Sequence, residues 1–191
     1  LTGPLPILSN CHLCSLRQAA APVAGFGPTN AKIAIIGSYP GMVELRQRKP
    51  LSGPAGTVLD AGLKRAQIAR RKCYVTNVIK CPPRQSTGHV APFCAYMCQR
   101  QWLVPELATL TNLQLVLALG SYALWAFEPA AFVEDVHGHL SRTQLPNGQA
   151  VWLFPAHSPG AFLRSKPLPV WERTMDRFRH ATQQLRKTGQ L

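Results

Sequence analysis

Three short apolar runs, too compact and too uniform for amphipathic helices, set the frame of the chain. Lys32 to Gly37 (KIAIIG) packs three isoleucines between a lysine and a glycine. A run of this kind, without alternation, predicts a strand buried on both faces, as in parallel sheets. Cys73 to Ile79 (CYVTNVI) is rich in β-branched residues and predicts a second strand. Leu113 to Leu119 (LQLVLAL), closed by Gly120, predicts a third. Between Leu140 and Phe154, two strand-like stretches flank Pro146-Asn147-Gly148, a hairpin signal; the second arm, Val151 to Phe154, is expected to supply the fourth parallel strand.

Between these runs the period changes. Val58, Leu59, Leu63 and Ala66 predict a helix over Thr57 to Ala69, weakened by Gly62 in its interior. Further helices are predicted from Pro92 to Ala108, after Gly120 through Phe127, and from Pro169 to Leu185, where Trp171, Met175, Phe178 and Leu185 keep helical spacing. Ser38 to Gly56 reads as loop, broken by Pro40-Gly41, Lys49-Pro50 and Gly53-Pro54. Residues 1–30 hold four prolines and three glycines and read as irregular structure, and 186–191 as a frayed tail. Strands alternating with helices predict a three-layer α/β/α sandwich with a central, mostly parallel four-stranded sheet, in a single domain over residues 1–191.

Charge narrows the class of partner. There are 21 Lys+Arg against 8 Asp+Glu, a formal charge of +13 on 191 residues. Such an excess repels itself unless a polyanion offsets it, and nucleic acid is the leading candidate. No apolar run reaches the ~18 residues of a membrane span. Leu1 to Asn10 lack the basic start and apolar stretch of a signal peptide, so a cytoplasmic protein, bacterial or phage-encoded, is expected. Six cysteines lie at positions 11, 14, 73, 81, 94 and 98. In a reducing compartment a C-x-x-C such as Cys11/Cys14 points to metal ligands or a redox pair rather than to a disulfide scaffold.

Ligands of open α/β sheets sit at the carboxyl ends of the strands. The loops there read Gly37-Ser38-Tyr39-Pro40-Gly41, Thr76-Asn77 and Ala156-His157-Ser158-Pro159-Gly160. The first is tight enough for close backbone approach to a ligand, the second offers an amide, the third an imidazole. Each alone is equally compatible with a turn, a self-bonded Asn or a solvated His.

In order with the cysteines they form a longer pattern. CHLC, IIGSYPGMVE followed by KPLSGPAGTVLDAGL, YVTNVIKCPP, Cys98, LVLALG and HSPGAFLR run from Cys11 to Arg164. This resembles the iron–sulfur, family 4 branch of the uracil-DNA glycosylases, with its C-x-x-C, G-E-x-P-G, T-N-x-x-K-C-x-P-P and H-P-S-x-L-L-R patterns. The resemblance implies a monofunctional enzyme that flips a nucleotide from single- or double-stranded DNA and hydrolyses its N-glycosidic bond, acting as a monomer. It implies a 4Fe-4S cluster on Cys11, Cys14, Cys81 and Cys98, with Cys94 one turn away as competitor and zinc as the lesser alternative. Cys73 is expected in the core. Asn77 matches the residue that reads the base, and His157 the donor to anionic O2. Gly37, Tyr39, Pro40 and Gly41 shape the pocket under the sugar. Phe162, Leu163 and Arg164 match the wedge that fills the vacated stack. Lys49, Arg84, Arg164 and Lys166 are expected at phosphates.

Three departures change the expected chemistry. Ser38 stands where the family has its water-positioning glutamate; Glu44 is the nearest carboxylate in sequence. Leu51 replaces the phenylalanine that stacks on uracil, so a bulky modified pyrimidine becomes an alternative substrate. His157 is followed by Ser-Pro-Gly, which lengthens the wedge loop by one residue. An enzyme acting on uracil or a modified pyrimidine, and a DNA-binding module that has lost turnover with the glutamate, are the two readings that remain.

Overall fold

The computed structural model describes residues 11–16, 22–83, 89–145 and 147–191. Its frame is one five-stranded sheet: β1 (Ile33–Gly37), β2 (Cys73–Asn77), β3 (Leu115–Leu119), β4 (Ser141–Gln144) and β5 (Ala150–Ala156), in the order β2-β1-β3-β5-β4. The four strands predicted as parallel are parallel. The fifth is the first arm of the predicted hairpin, which pairs antiparallel with β5 as an edge strand. Every residue of β1, β2 and β3 is buried, as their uninterrupted apolar pattern requires. In the hairpin turn Asn147 Oδ1 accepts the Gln149 N–H and Gly148 has φ +85°; Pro146 lies outside the described residues.

Helices cover both faces. On one, α2 (Pro54–Arg65) and α8 (Leu168–Lys187) bury Leu59, Leu63, Trp171, Met175 and Phe178 against Ile35, Leu117 and Phe154. Gly62, which weakens the helix as a sequence element, lies at their contact. A Cβ there would come within 2.6 Å of Trp171 Nε1 and 2.8 Å of Met175 Cγ. On the other face lie α3 (Pro92–Cys98), α4 (Val104–Ala108), α5 (Ser121–Trp125) and α6 (Val133–Val136), burying Cys98, Leu107, Leu124 and Val133 on Ile36, Val116 and Leu153. Among the described residues no helix is long and apolar enough to cross a membrane.

Three local features differ from expectation. The stretch Ser38–Gly56, expected as loop, contains α1 (Met42–Gln47), started by a Gly41-x-x-Glu44 cap. The single helix expected from Pro92 to Ala108 widens into a π turn at Gln99–Leu103, where Val104 N–H reaches Gln99 O. Pro105 lacks an N–H and its ring would strike the carbonyl four residues back, and the wider turn relieves both. Of the irregular segment 1–30, only 11–16 and 22–30 are described. Residues 22–30 run along the free edge of β2, where Phe26 exchanges both backbone bonds with Val75 at 2.8 Å. That cover protects an otherwise open sheet edge.

Candidate active site and cysteine cluster

A cleft of about 470 Å³ opens at the carboxyl ends of the parallel strands. It gathers the three expected loops: Gly37, Ser38, Tyr39 and Gly41 after β1, Asn77 at the end of β2, and residues 157–161, Leu163, Arg164 and Lys166 after β5. Gly120, Tyr122 and Glu134 complete the wall. Pro40 is buried behind the first loop and does not line the cleft.

Asn77 has an unusual environment among the described residues. It is 1% exposed, and neither Oδ1 nor Nδ2 has a hydrogen-bond partner among the described residues. Leaving both ends of a buried amide unpaired costs about 1–3 kcal/mol per group, so the arrangement marks a site for a ligand. Its position is fixed from two sides. A Cβ on Gly37 would collide with Asn77 Oδ1, so only glycine permits this placement. On the opposite face of β2, the neighbouring Thr76 joins a buried network. Lys80 Nζ donates to Glu106 Oε2 (2.5 Å) and to Thr76 Oγ1 (2.7 Å), and Thr76 donates to Glu106 (2.7 Å). Glu106 Oε1 also accepts the Gly25 N–H at 2.7 Å. Burial and this carboxylate raise the pKa of the Tyr74 phenol and keep it protonated.

Leu51 forms part of the floor beside Gly37, buried and in a left-handed conformation (φ +50°) uncommon for leucine. Arg70 clamps it there, donating to Leu51 O at 2.6 Å and Pro50 O at 3.1 Å while paired with Asp60 at 2.8 Å. Glu44 ties this loop to the first one: its oxygens accept the Gly41 N–H (3.0 Å) and the Gly53 N–H (2.9 Å).

His157 is 7% exposed and lies 4.6 Å, ring to ring, from His137 at the end of α6. Burial, then the charge of Lys166, then His137, hold its imidazole below the ordinary histidine value. It is therefore neutral at pH 7, with one nitrogen free to donate. Ser38 Oγ makes one long bond, 3.4 Å, to Leu119 O.

The wedge needs a correction. Phe162, in the short helix α7 (Pro159–Phe162), is buried and packs 5.5 Å from the Trp171 ring and 6.3 Å from His157. It supports His157 from within. Leu163, 51% exposed, is the side chain that reaches out, with Arg164 and Lys166 on the cleft. Lys49 lies elsewhere, its ammonium 4.7 Å above the Phe26 ring. Arg84 falls outside the described residues.

On the far side of the sheet edge, Cys11, Cys14, Cys81 and Cys98 line one small cavity together with Trp102. Trp102 Nε1–H points at Cys11 Sγ (3.3 Å) and the Lys80 N–H at Cys98 Sγ (3.3 Å). Cys81 and Cys98 are buried and Cys11 and Cys14 half-buried; four thiols on one cavity, two of them facing N–H donors, have the chemistry of a thiolate ligand set. Among the described residues, no three His, Cys, Asp or Glu side chains are gathered closely enough to hold a metal ion. Cys94 does not line the cavity; burial first, and then the neighbouring Cys94 and Cys11 thiols, raise the pKa of Cys14. Burial raises Cys98 to about 11 and Cys73 to about 12. Cys73 is a core thiol, as expected.

Four contributors were not expected at the site: Arg70, whose run Arg70-Arg71-Lys72 reads as a solvated turn, Tyr122, His137 and Glu134. Only Glu44 had a local signal for its part, the glycine three residues before it at capping-box spacing.

The sequence model of the uracil DNA glycosylase superfamily matches residues 24–186. The chain belongs to the uracil DNA glycosylase superfamily. The type-4 uracil-DNA glycosylase of Pyrobaculum aerophilum is 35% identical over 171 residues, covering 85% of this chain and 84% of that protein. That of Thermotoga maritima is 25% identical over 191 residues, covering 95% and 93%. That of Archaeoglobus fulgidus is 29% identical over 120 residues, covering 61% and 57%.

Proposed function

We propose that this chain, acting as a single-domain monomer, takes a pyrimidine nucleotide out of single- or double-stranded DNA and hydrolyses its N-glycosidic bond to leave an abasic site. The observation that carries this reading is the unpartnered, buried amide of Asn77 at the floor of a cleft rimmed by cations. An amide accepts from N3–H and donates to O4 of a uracil-like edge, which satisfies both orphaned atoms. As the bond breaks, negative charge grows on the base, and the neutral His157 donates to O2. Leu163 enters the vacated stack, and Arg164 and Lys166 hold phosphates.

The named substrate of the relatives supports uracil. Leu51 supports a second substrate, a pyrimidine with a bulky substituent such as a hydroxymethylated or glucosylated base, because an aliphatic side chain leaves no flat stacking surface at the floor. Leu51→Phe tests this: uracil release rises relative to release of the bulky base. An unchanged ratio of the two rates would remove Leu51 as the determinant of specificity.

Ser38, without a carboxylate, is the observation that favours a binding module. Ser38→Glu separates the two readings. For a working enzyme the substitution changes uracil release by less than ~10-fold, below the ~10²–10⁴ expected of a newly supplied acid–base group. A gain of ~10² or more from a near-inactive parent would instead identify a decayed site that binds without turnover.

The donor set around Cys11, Cys14, Cys81 and Cys98 supports a 4Fe-4S cluster. When bound, it would tie the N-terminal segment to the loop after β2, a structural role at a distance from the cleft. Cys98→Ser is expected to abolish the visible absorption and iron content of the purified protein, while Cys94→Ser retains both. The reverse pattern would make Cys94 the fourth ligand.

A further inference from the structure

Loss of the first-loop glutamate leaves a chemical requirement open. Breaking the glycosidic bond puts positive charge on the sugar, and the attacking water needs an acceptor for its proton. The chain has eight carboxylates to supply one. Asp60, Glu106, Glu172 and Asp176 are paired with Arg70, Lys80 and Arg65. Glu44 has each oxygen bound to a loop N–H. Of the remaining three, Glu128, Glu134 and Asp135, none has an ion pair to a described residue, in a chain of +13 charge.

Of these three, Glu134 alone lines the cleft. It is exposed, so its carboxylate is open to substrate, and its charge acts on His157. The helix that carries it is docked rather than loose. Gly138 N–H bonds Pro155 O at 2.8 Å, and Val133 is buried in the core. His137, three residues on, packs against His157. One short helix therefore brings a carboxylate to the cleft and a second imidazole against the first. A bare carboxylate beside a phosphate-binding surface opposes DNA binding, so chemistry is the better account of its placement.

Resting on the hydrolytic reading above, we propose that Glu134 of α6 supplies the catalytic carboxylate that Ser38 lacks. A water held by Glu134 adds its oxygen to C1′ as the C1′–N1 bond breaks. Its proton passes to the carboxylate and then to solvent. The electron pair of the broken bond leaves with the base, its charge spread over O2 and O4 against His157 and Asn77, and N1 takes a proton from solvent after departure.

The test is single-turnover base release and DNA affinity for Glu134→Gln, with Asp135→Asn on the same turn as control. Glu134→Gln is expected to slow release about 10²-fold, with affinity unchanged or tighter, and Asp135→Asn to release at the parent rate. Adding Ser38→Glu to Glu134→Gln should restore most of the rate, which a merely structural role for Glu134 would not allow. A rate within threefold of the parent, an equal loss in Asp135→Asn, or a loss that Ser38→Glu leaves unrepaired would each overturn the assignment. If the parent itself releases no pyrimidine, the hydrolytic reading fails and the role of Glu134 falls with it; a normal parent with an unaffected Glu134→Gln sinks Glu134 alone.

Discussion

Asn77→Ala slows base release by about 10³-fold, at the upper end of what losing one donor to a developing charge costs. The same substitution leaves the free protein as stable as the parent, or more so. Both amide atoms are buried without partners among the described residues, so truncation removes a desolvation cost and offsets the small cavity it opens. Few single substitutions separate activity from stability so sharply. Rates with uracil and thymine oligonucleotides, together with thermal melts, measure both effects. A fall in stability with unchanged selectivity would make Asn77 an ordinary core residue.

The second large effect is on folding. Lys80 and Glu106 are each 1% exposed and 2.5 Å apart. Lys80→Met strands a buried carboxylate and is expected to cost about 3–5 kcal/mol. Glu106 retains its bonds from Gly25 and Thr76, which places the loss toward the lower end. Adding Glu106→Gln removes the stranded charge while keeping an acceptor for Gly25, and should recover more than half of the loss. Urea denaturation of the parent, single and double variants reads this directly. Should Lys80→Met fail to fold, recovery of folding in the double variant carries the same meaning. A double variant less stable than the single would show that the charges themselves hold β2 in place. Thr76 belongs to this network and precedes Asn77, so the pair anchors the strand that presents the amide.

What the sequence made legible follows from where the physics is local. The strands were readable because KIAIIG and LQLVLAL bury both faces, leaving no polar period to confuse them with helices. Asn77 and His157 were readable as strand-end residues, and the cleft does gather them. The fifth strand was readable only as a hairpin arm, since SRTQ carries no apolar face of its own. Long-range packing decided the rest. Phe162 sits in a motif that suggests an exposed wedge, yet the turn of α7 points it onto Trp171. Arg70 lies in the run Arg70-Arg71-Lys72, which reads as a solvated turn, and becomes a clamp only because the Leu51 loop returns to it. Glu134 and His137 lie in AFVEDVHGH, ahead of an edge strand, where no strand-end rule points. They reach the cleft because Gly138 docks on β5.

The most direct test of the account is base release by the parent protein from matched oligonucleotides carrying a single uracil, hydroxymethylated pyrimidine or glucosylated hydroxymethylcytosine, with alkali to reveal abasic sites. The account predicts alkali-labile strands and free base from at least one of these, with no strand break before alkali. Tight, salt-sensitive binding with no base released from any of them would contradict it.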